Sequence, residues 1–419
     1  MAWGGCDHAP RIVTISLMAP HTRAIADGFG VRLALFYAGL FVVAGIAMPF
    51  FPVWLKAKGL DPEAIGLVIA TPILVRLAVV PIAARLADRR GALRQVLVMS
   101  SVGGAIGYAL VGVAQGFPGI LATVALVAAL AGPAIPLADA YALRGLNLRG
   151  RAYGPVRLWG SVGFIAANFA AGFASGYIAP TSYVWLIVAA WAVTGAVSLG
   201  LQPLQPTGTP EAAAPRRPRR LLATPGVLSV AVGASLIQAS HAVYYGFSTL
   251  EWSTKGLSGT TIGALWALGV AAEIVLFALS ARLPALNPRG LLILGAMGAV
   301  VRWGAMALDP PAALLAPLQC LHALSFGASF LGAVQFLSRV APEGKAATAQ
   351  GDFSTLQGIV TAAATGLSGV LYANFGALAY APMAACAAVG GIVIWLSAIR
   401  DQASGIRTNR TPTNSDTDT

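Results

Sequence analysis

Asp139 and Arg157 stand eighteen residues apart in PLADAYALRGLNLRGRAYGPVRLWGSVGFIAANF, the stretch from Pro136 to Phe169. The acid sits inside one apolar run and the base opens the next. Charge on an apolar segment is costly unless something compensates it. Such a pair can neutralise itself, bind a charged or hydroxylated solute, or use the carboxyl group to carry a proton. Arg76, Glu273, Arg302 and His322 interrupt apolar runs in the same way. An ionisable residue inside a membrane span is a functional candidate that faces the bundle interior.

Residues for other chemistry are missing from the sequence. Cys6, Cys320 and Cys386 are far apart, with no metal-type or disulfide-type spacing. Cys320 and Cys386 lie in apolar runs and read as small packing residues. There is no His/Cys metal pattern and no nucleotide-binding GxxxxGK[ST] motif. No metal and no cofactor is expected, direct driving by ATP is disfavoured, and the loops are too short for a catalytic domain.

The elements that carry these charges follow from composition. Of 419 residues, 57% are hydrophobic and 10% charged, against roughly 25% charged in soluble domains. Long apolar runs recur along the whole chain, which makes it an all-α integral membrane protein. An eight-stranded barrel is excluded because the runs are continuous rather than alternating. Twelve spans are expected, at 33–55, 63–84, 95–115, 119–143, 156–177, 181–201, 226–250, 260–282, 290–308, 312–338, 347–373 and 377–399.

Arginines set the orientation. Loops after even-numbered spans hold Arg85, Arg89, Arg90, Arg94, Arg149, Arg151, Arg216, Arg217, Arg219, Arg220, Arg289 and Arg339, with Lys345. Loops after odd-numbered spans hold Lys56, Lys58 and Lys255. The positive-inside rule then places both termini in the cytoplasm of a cell (inner or plasma) membrane. The net charge of +12 is a topology signal, not a nucleic-acid footprint.

The chain also repeats itself. KGLDPEAIG (58–66) returns as KGLSGTTIG (255–263), and ARL (84–86) as ARL (281–283), both at an offset of 197 residues. The expected organisation is a cytoplasmic tail at 1–30 with no signal peptide, a six-helix bundle at 31–201 and a Pro/Arg-rich linker at 202–224. A second six-helix bundle follows at 225–400, then a disordered tail at 401–419. Duplicated bundles enclose a solute site near the midplane between them. Polar stripes at helical spacing favour such a cavity: Gln238, His241, Tyr245 and Ser248 on span seven, Arg157, Ser161, Phe164 and Asn168 on span five. The same stripes can be interhelical glue.

With these features the chain resembles the major facilitator superfamily. ARLADRRGALRQ, carrying Asp88, Arg89 and Arg90, looks like its cytoplasmic loop motif, with Ala84 where the motif has Gly. YGPVRLWGSVGF, RLAVVP, LHALSFGA and PFFPVWLKAKGL are similar to the branch of phenylpropionate and lactose permeases. The resemblance covers the chain from span one to span twelve. It implies the major facilitator fold, with Asp139 and Arg157 in the substrate site and Glu273 in both substrate binding and proton coupling. Arg302 and His322 fall in the coupling region, and Asp88, Arg89 and Arg90 support gating. One departure stands out: a carboxylate expected three residues after the histidine is Ser325 here, so the coupling group differs or coupling is absent.

The expected function is proton-coupled import of a small organic solute by alternating access. The solute is an aromatic or other organic acid, or a sugar. A drug or metabolite efflux antiporter on the same fold is the alternative. Trp159, Phe164 and Tyr245 are aromatic candidates to stack on the solute, with His241 beside them. Three arginines against two carboxylates favour an anion. The alternative readings are a structural ion pair for Asp139 and Arg157, and for His322 a bundle histidine with no titration role. The expected partners are the solute, protons and lipid, with no nucleic acid, for a monomer.

Overall fold

The computed structural model describes residues 28–204, 224–280, 287–342 and 346–403. Residues 1–27 of the expected tail, 205–223 of the linker, 404–419 and the second ARL lie outside the described residues, as do Arg216, Arg217, Arg219, Arg220 and Lys345. Among the described residues all regular structure is helical. The first half comprises α1 (Phe29–Ala57), α2 (Pro62–Arg90), α3 (Leu93–Val113), α4 (Gly116–Ala131), α5 (Ala134–Asn147), α6 (Gly154–Ala174) and α7 (Tyr183–Leu199). The second comprises α8 (Pro225–Ala239), α9 (Ala242–Thr254), α10 (Gly259–Ser280), α11 (Pro288–Ala307), α12 (Ala312–Cys320), α13 (Ser329–Val340), α14 (Ala346–Phe375) and α15 (Tyr380–Ala403).

These helices make twelve passes, three of them interrupted: α4–α5, α8–α9, and α12–α13 with a π-helical Ala323–Ala328 between. Each break has a local cause. Pro133 has no N–H to donate into the α4 ladder. Ser240 Oγ donates to the Ile237 carbonyl at 2.6 Å and His241 Nδ1 to the Gln238 carbonyl at 3.1 Å. Such side-chain bonds offer the backbone an alternative to the helix. In the tenth pass, Ser329 Oγ donates to the Ser325 carbonyl at 2.7 Å, and Gln238 Nε2 reaches the Phe326 carbonyl at 3.2 Å. Interrupted spans with side-chain-satisfied backbone belong where the protein builds a site.

The repeated loop is repeated in three dimensions. Asp61 accepts from the Ala64 N–H at 2.8 Å, and Ser258 accepts from the Thr261 N–H at 3.1 Å, so each caps the helix that follows. Gly59 and Gly256 precede them at φ 85° and 81°, a left-handed turn that glycine adopts without strain.

Two apolar cores form, one per half, and each recruits residues of the other. Phe247 and Leu250 of α9 bury in the first core, and Phe164 of α6 in the second. The halves join through α2 against α14 and α6 against α10. Backbone meets backbone at the face that holds Gly59 and Gly256. A Cβ on Gly369 would lie 2.3 Å from the Pro62 carbonyl, and one on Gly172 would lie 2.4 Å from that of Gly259. Away from this face the contact thins. On α2, burial stops at Ala70 and resumes only at Ala87; on α10 it stops at Gly269. The halves therefore splay apart toward the arginine-rich loops.

Overpacking such a contact costs about 1–3 kcal/mol, enough to redistribute a two-state equilibrium about five- to 150-fold. Gly369→Val is expected to keep the glycine-side face from closing. Maleimide labelling of a cysteine placed at Tyr372, which stacks on Phe247 at 4.5 Å, should become faster. Unchanged labelling would show that this contact does not set the closed state.

Candidate functional site

The acid of the opening stretch is held by phenols. Asp139 Oδ1 accepts from the Tyr37 hydroxyl at 2.6 Å and the Tyr153 hydroxyl at 2.7 Å. Arg157 Nε stands 3.8 Å from the same oxygen, an ion pair longer than a hydrogen bond. Its guanidinium lies 4.1 Å above the Phe41 ring and 5.3 Å from that of Tyr37. The α5–α6 turn brings acid and base to one depth, α1 supplies Tyr37 and Phe41, and Tyr153 is the N-cap residue of α6. Both charged side chains keep about a third of their surface open.

The second half builds a hydrogen-bond network around Arg302, which is wholly buried. Its Nη1 donates to His322 Nδ1 at 3.0 Å and to Ser325 Oγ at 3.3 Å, and its Nη2 donates to Gln319 Oε1 at 2.6 Å. The Tyr244 and Trp303 rings, themselves 5.8 Å apart, both lie 4.5 Å from its guanidinium. Among the described residues no carboxylate lies within 4 Å of Arg302. Ser325 fills that place as a neutral bridge.

Arginine has only donors, so this arrangement fixes both imidazoles. His322 must accept at Nδ1, which leaves its proton on Nε2, facing Glu273 Oε2 at 3.7 Å. His241 donates from Nδ1 to the Gln238 carbonyl, so its Nε2 accepts from Ser325 Oγ at 3.2 Å. The two rings carry opposite tautomers. Glu273 closes the network on the side of the gap, where the Arg157 charge of the other half acts on it.

The structure separates some residues that the sequence groups together. Trp159 is 54% exposed and lies about 200° round α6 from Arg157, so it faces away from the pair. Phe164 is buried at the junction of the halves. His241 is wholly buried among Tyr245, Trp303, His322 and Phe326, so it belongs to the network and lines no open space. Tyr245 stacks on it at 5.6 Å and keeps some exposure. Gln238 acts as glue, bonding Ser329 at 2.9 Å. Asp88, Arg89 and Arg90 stand exposed at the end of α2, and Asp88 forms no ion pair with another described residue.

Sequence reasoning missed Tyr37, Tyr153, Gln319 and a buried acid, Glu251. Tyr153 precedes Arg157 by one helical turn and Gln319 precedes His322 by three residues, so both were visible as same-face neighbours. Glu251 accepts from Lys255 at 2.7 Å, and Lys255 also pairs with Asp309.

Two helical halves that touch at one face, with ionisable side chains on both sides of the gap, define a membrane transporter. The family described as MFS_1 like matches residues 31–381, and the chain belongs to it. The chain is 32% identical over 319 residues to a "Probable 3-phenylpropionic acid transporter" of Escherichia coli (strain K12), covering 73% of this chain and 81% of that one. It is 30% identical over 384 residues to a "Maltose permease" of Geobacillus stearothermophilus, covering 88% and 95%. Among solved structures, the nucleoside transporter NupG superposes with a TM-score of 0.77 at 14% identity, covering 88% of this chain and 98% of that one. A bacterial homologue of the lysosomal transporter Spinster, in an inward-facing and unoccupied conformation, superposes at 0.74, also at 14% identity, covering 92% and 98%. These likenesses establish the fold of a major facilitator transporter, and the family contains transporters rather than enzymes.

Proposed function

We propose that this transporter imports a small organic acid together with a proton by alternating access. The observation that carries the reading is the division of charge. Asp139 and Arg157 face the gap from one half, and Glu273 backed by the His322–Arg302 network faces it from the other. A solute bound between them touches both halves, so binding is coupled to their rocking. Glu273 is the proton carrier of choice: His322 is held by an arginine, and Ser325 does not titrate in the working range. The arginine-rich loops face the cytoplasm, so the splayed state opens inward, and the protein works as a monomer in the cell membrane.

The excess of arginine favours an anion, and the relative named for 3-phenylpropionic acid agrees with an aromatic carboxylate. A sugar is the second reading, favoured by the maltose permease relative and by the Tyr37–Asp139–Tyr153 cluster, which suits hydroxyl groups.

The test is the pH of a lightly buffered anaerobic suspension of cells overproducing the chain, on addition of 3-phenylpropionate or maltose. Cells carrying empty vector set the baseline, because the neutral acid also diffuses. Faster alkalinisation with the acid is the expected result. A response to maltose alone selects the sugar reading. With the protein verified in the membrane, no response to either solute overturns import by symport.

A further inference from the structure

Among the described residues, Arg76 is a cation midway along its helix that neither cluster absorbs. It lies on α2 between Pro72 and Pro81, and its Nε donates to the Pro72 carbonyl at 3.2 Å. Among the described residues no carboxylate pairs with it. Its stem packs on the break in the fourth pass, where a Cβ on Gly132 would lie 2.6 Å from its Cγ. Ile69, two turns earlier on the same face, lies 3.9 Å from the Cβ position of Gly246 on α9. That face of α2 thus looks across at the second half, and the Arg76 side chain is exposed there.

Glu273 occupies the matching place in the other half, 197 residues further on, the same offset that relates the two loop repeats. The correspondence is physical as well. Arg76 packs against the interruption of the fourth pass, and Glu273 Cγ lies 3.4 Å from the Cβ position of Gly327 in the π-helical part of the tenth. The two halves therefore present a cation and an acid from equivalent positions.

We infer that Arg76 is the carboxylate anchor of the solute, a substrate-binding residue outside the Asp139–Arg157 pair that selects organic anions over neutral analogues. The inference rests on the organic-acid reading above. Arg157 already pairs with Asp139 and lies over Phe41, and Arg302 is wholly buried and committed to three acceptors. Among the described residues Arg76 bonds only through its Nε, which leaves a guanidinium edge for a bidentate carboxylate. A charged anchor opposite an acid also suits a cycle in which a proton on Glu273 removes the repulsion between that acid and the incoming carboxylate.

The test is calorimetric binding to the full chain in nanodiscs, with 3-phenylpropionate and 3-phenylpropanamide as probes. Arg76→Gln should weaken binding of the acid by about ten- to a hundredfold, the worth of a charge-assisted hydrogen-bond pair, and leave the amide unchanged. Arg76→Lys should recover part of the loss. Unchanged amide affinity and a wild-type melting profile certify that the Gln variant folds. Acid binding equal to wild type in that folded variant overturns the anchor while the organic-acid reading stands. Binding of neither probe by the wild type overturns the organic-acid reading and the anchor together.

Discussion

Glu273→Gln should abolish net proton-driven uptake while leaving exchange intact. Glutamine keeps the shape of the side chain and an acceptor for the His322 Nε2–H, which stands 3.7 Å from the Glu273 carboxylate, but it cannot take up or release a proton. Coupling is a difference in solute affinity between the protonated and deprotonated states, and a side chain with one state has no such difference. A monocarboxylate crossing with one proton carries no net charge, so each pH unit supplies about 1.4 kcal/mol, a tenfold gradient. That driving force should vanish in the variant. The measurement is the initial rate of labelled 3-phenylpropionate entry into reconstituted vesicles, well above the acid's own pKa so that its permeant neutral form is scarce. Net uptake should fall to the level of empty vesicles, while labelled solute still exchanges into preloaded ones. Net uptake at the wild-type rate would remove Glu273 from coupling. Loss of exchange as well would make it a binding residue only.

The passes and the charges were legible in the sequence because each breaks a strong background. Twenty apolar residues in a row are rare in soluble chains, and a charge within such a run is rarer still. The repeat was legible because the same capping chemistry recurs in DPEAIG and SGTTIG, and Asp61 and Ser258 do perform the same bond. The partners were hidden. A tyrosine in an apolar run carries no mark that its hydroxyl will find Asp139 102 residues away, as Tyr37 does. The break at Ser240–His241 has no proline or glycine to announce it; it arises from side chains bonding carbonyls of their own turn. Spacing put Gln238 and His241 on one face, yet a face can meet water or another helix, and here it meets the π-helical segment. Trp159 was the opposite case. Its helical phase already set it across from Arg157, and its aromatic type drew attention that its position did not support.

Arg302 carries the second large expected effect, and lysine separates its causes. Both Arg302→Lys and Arg302→Gln should lower transport more than about tenfold. If charge alone mattered, lysine would serve. The structure asks for geometry, because three neutral acceptors, His322 Nδ1, Ser325 Oγ and Gln319 Oε1, are served from two nitrogens of one rigid fork. An ammonium on a flexible stem offers a point charge and no fork. Each buried acceptor left without a donor costs about 1–3 kcal/mol. Against that, Gln removes a buried charge that has no acid partner among the described residues, which offsets part of the loss. Arg302→Gln should therefore fold with a modestly lower melting temperature, and its deficit should be one of function. Nitrogen NMR of labelled histidine reads the cause directly. Of the four histidines, the wild type should show His241 protonated at Nδ1 and His322 at Nε2, and in both variants the His322 signal should lose its fixed tautomer. Wild-type transport by Arg302→Lys would mean that the positive charge suffices and that the tautomers set by the fork do not matter to the cycle.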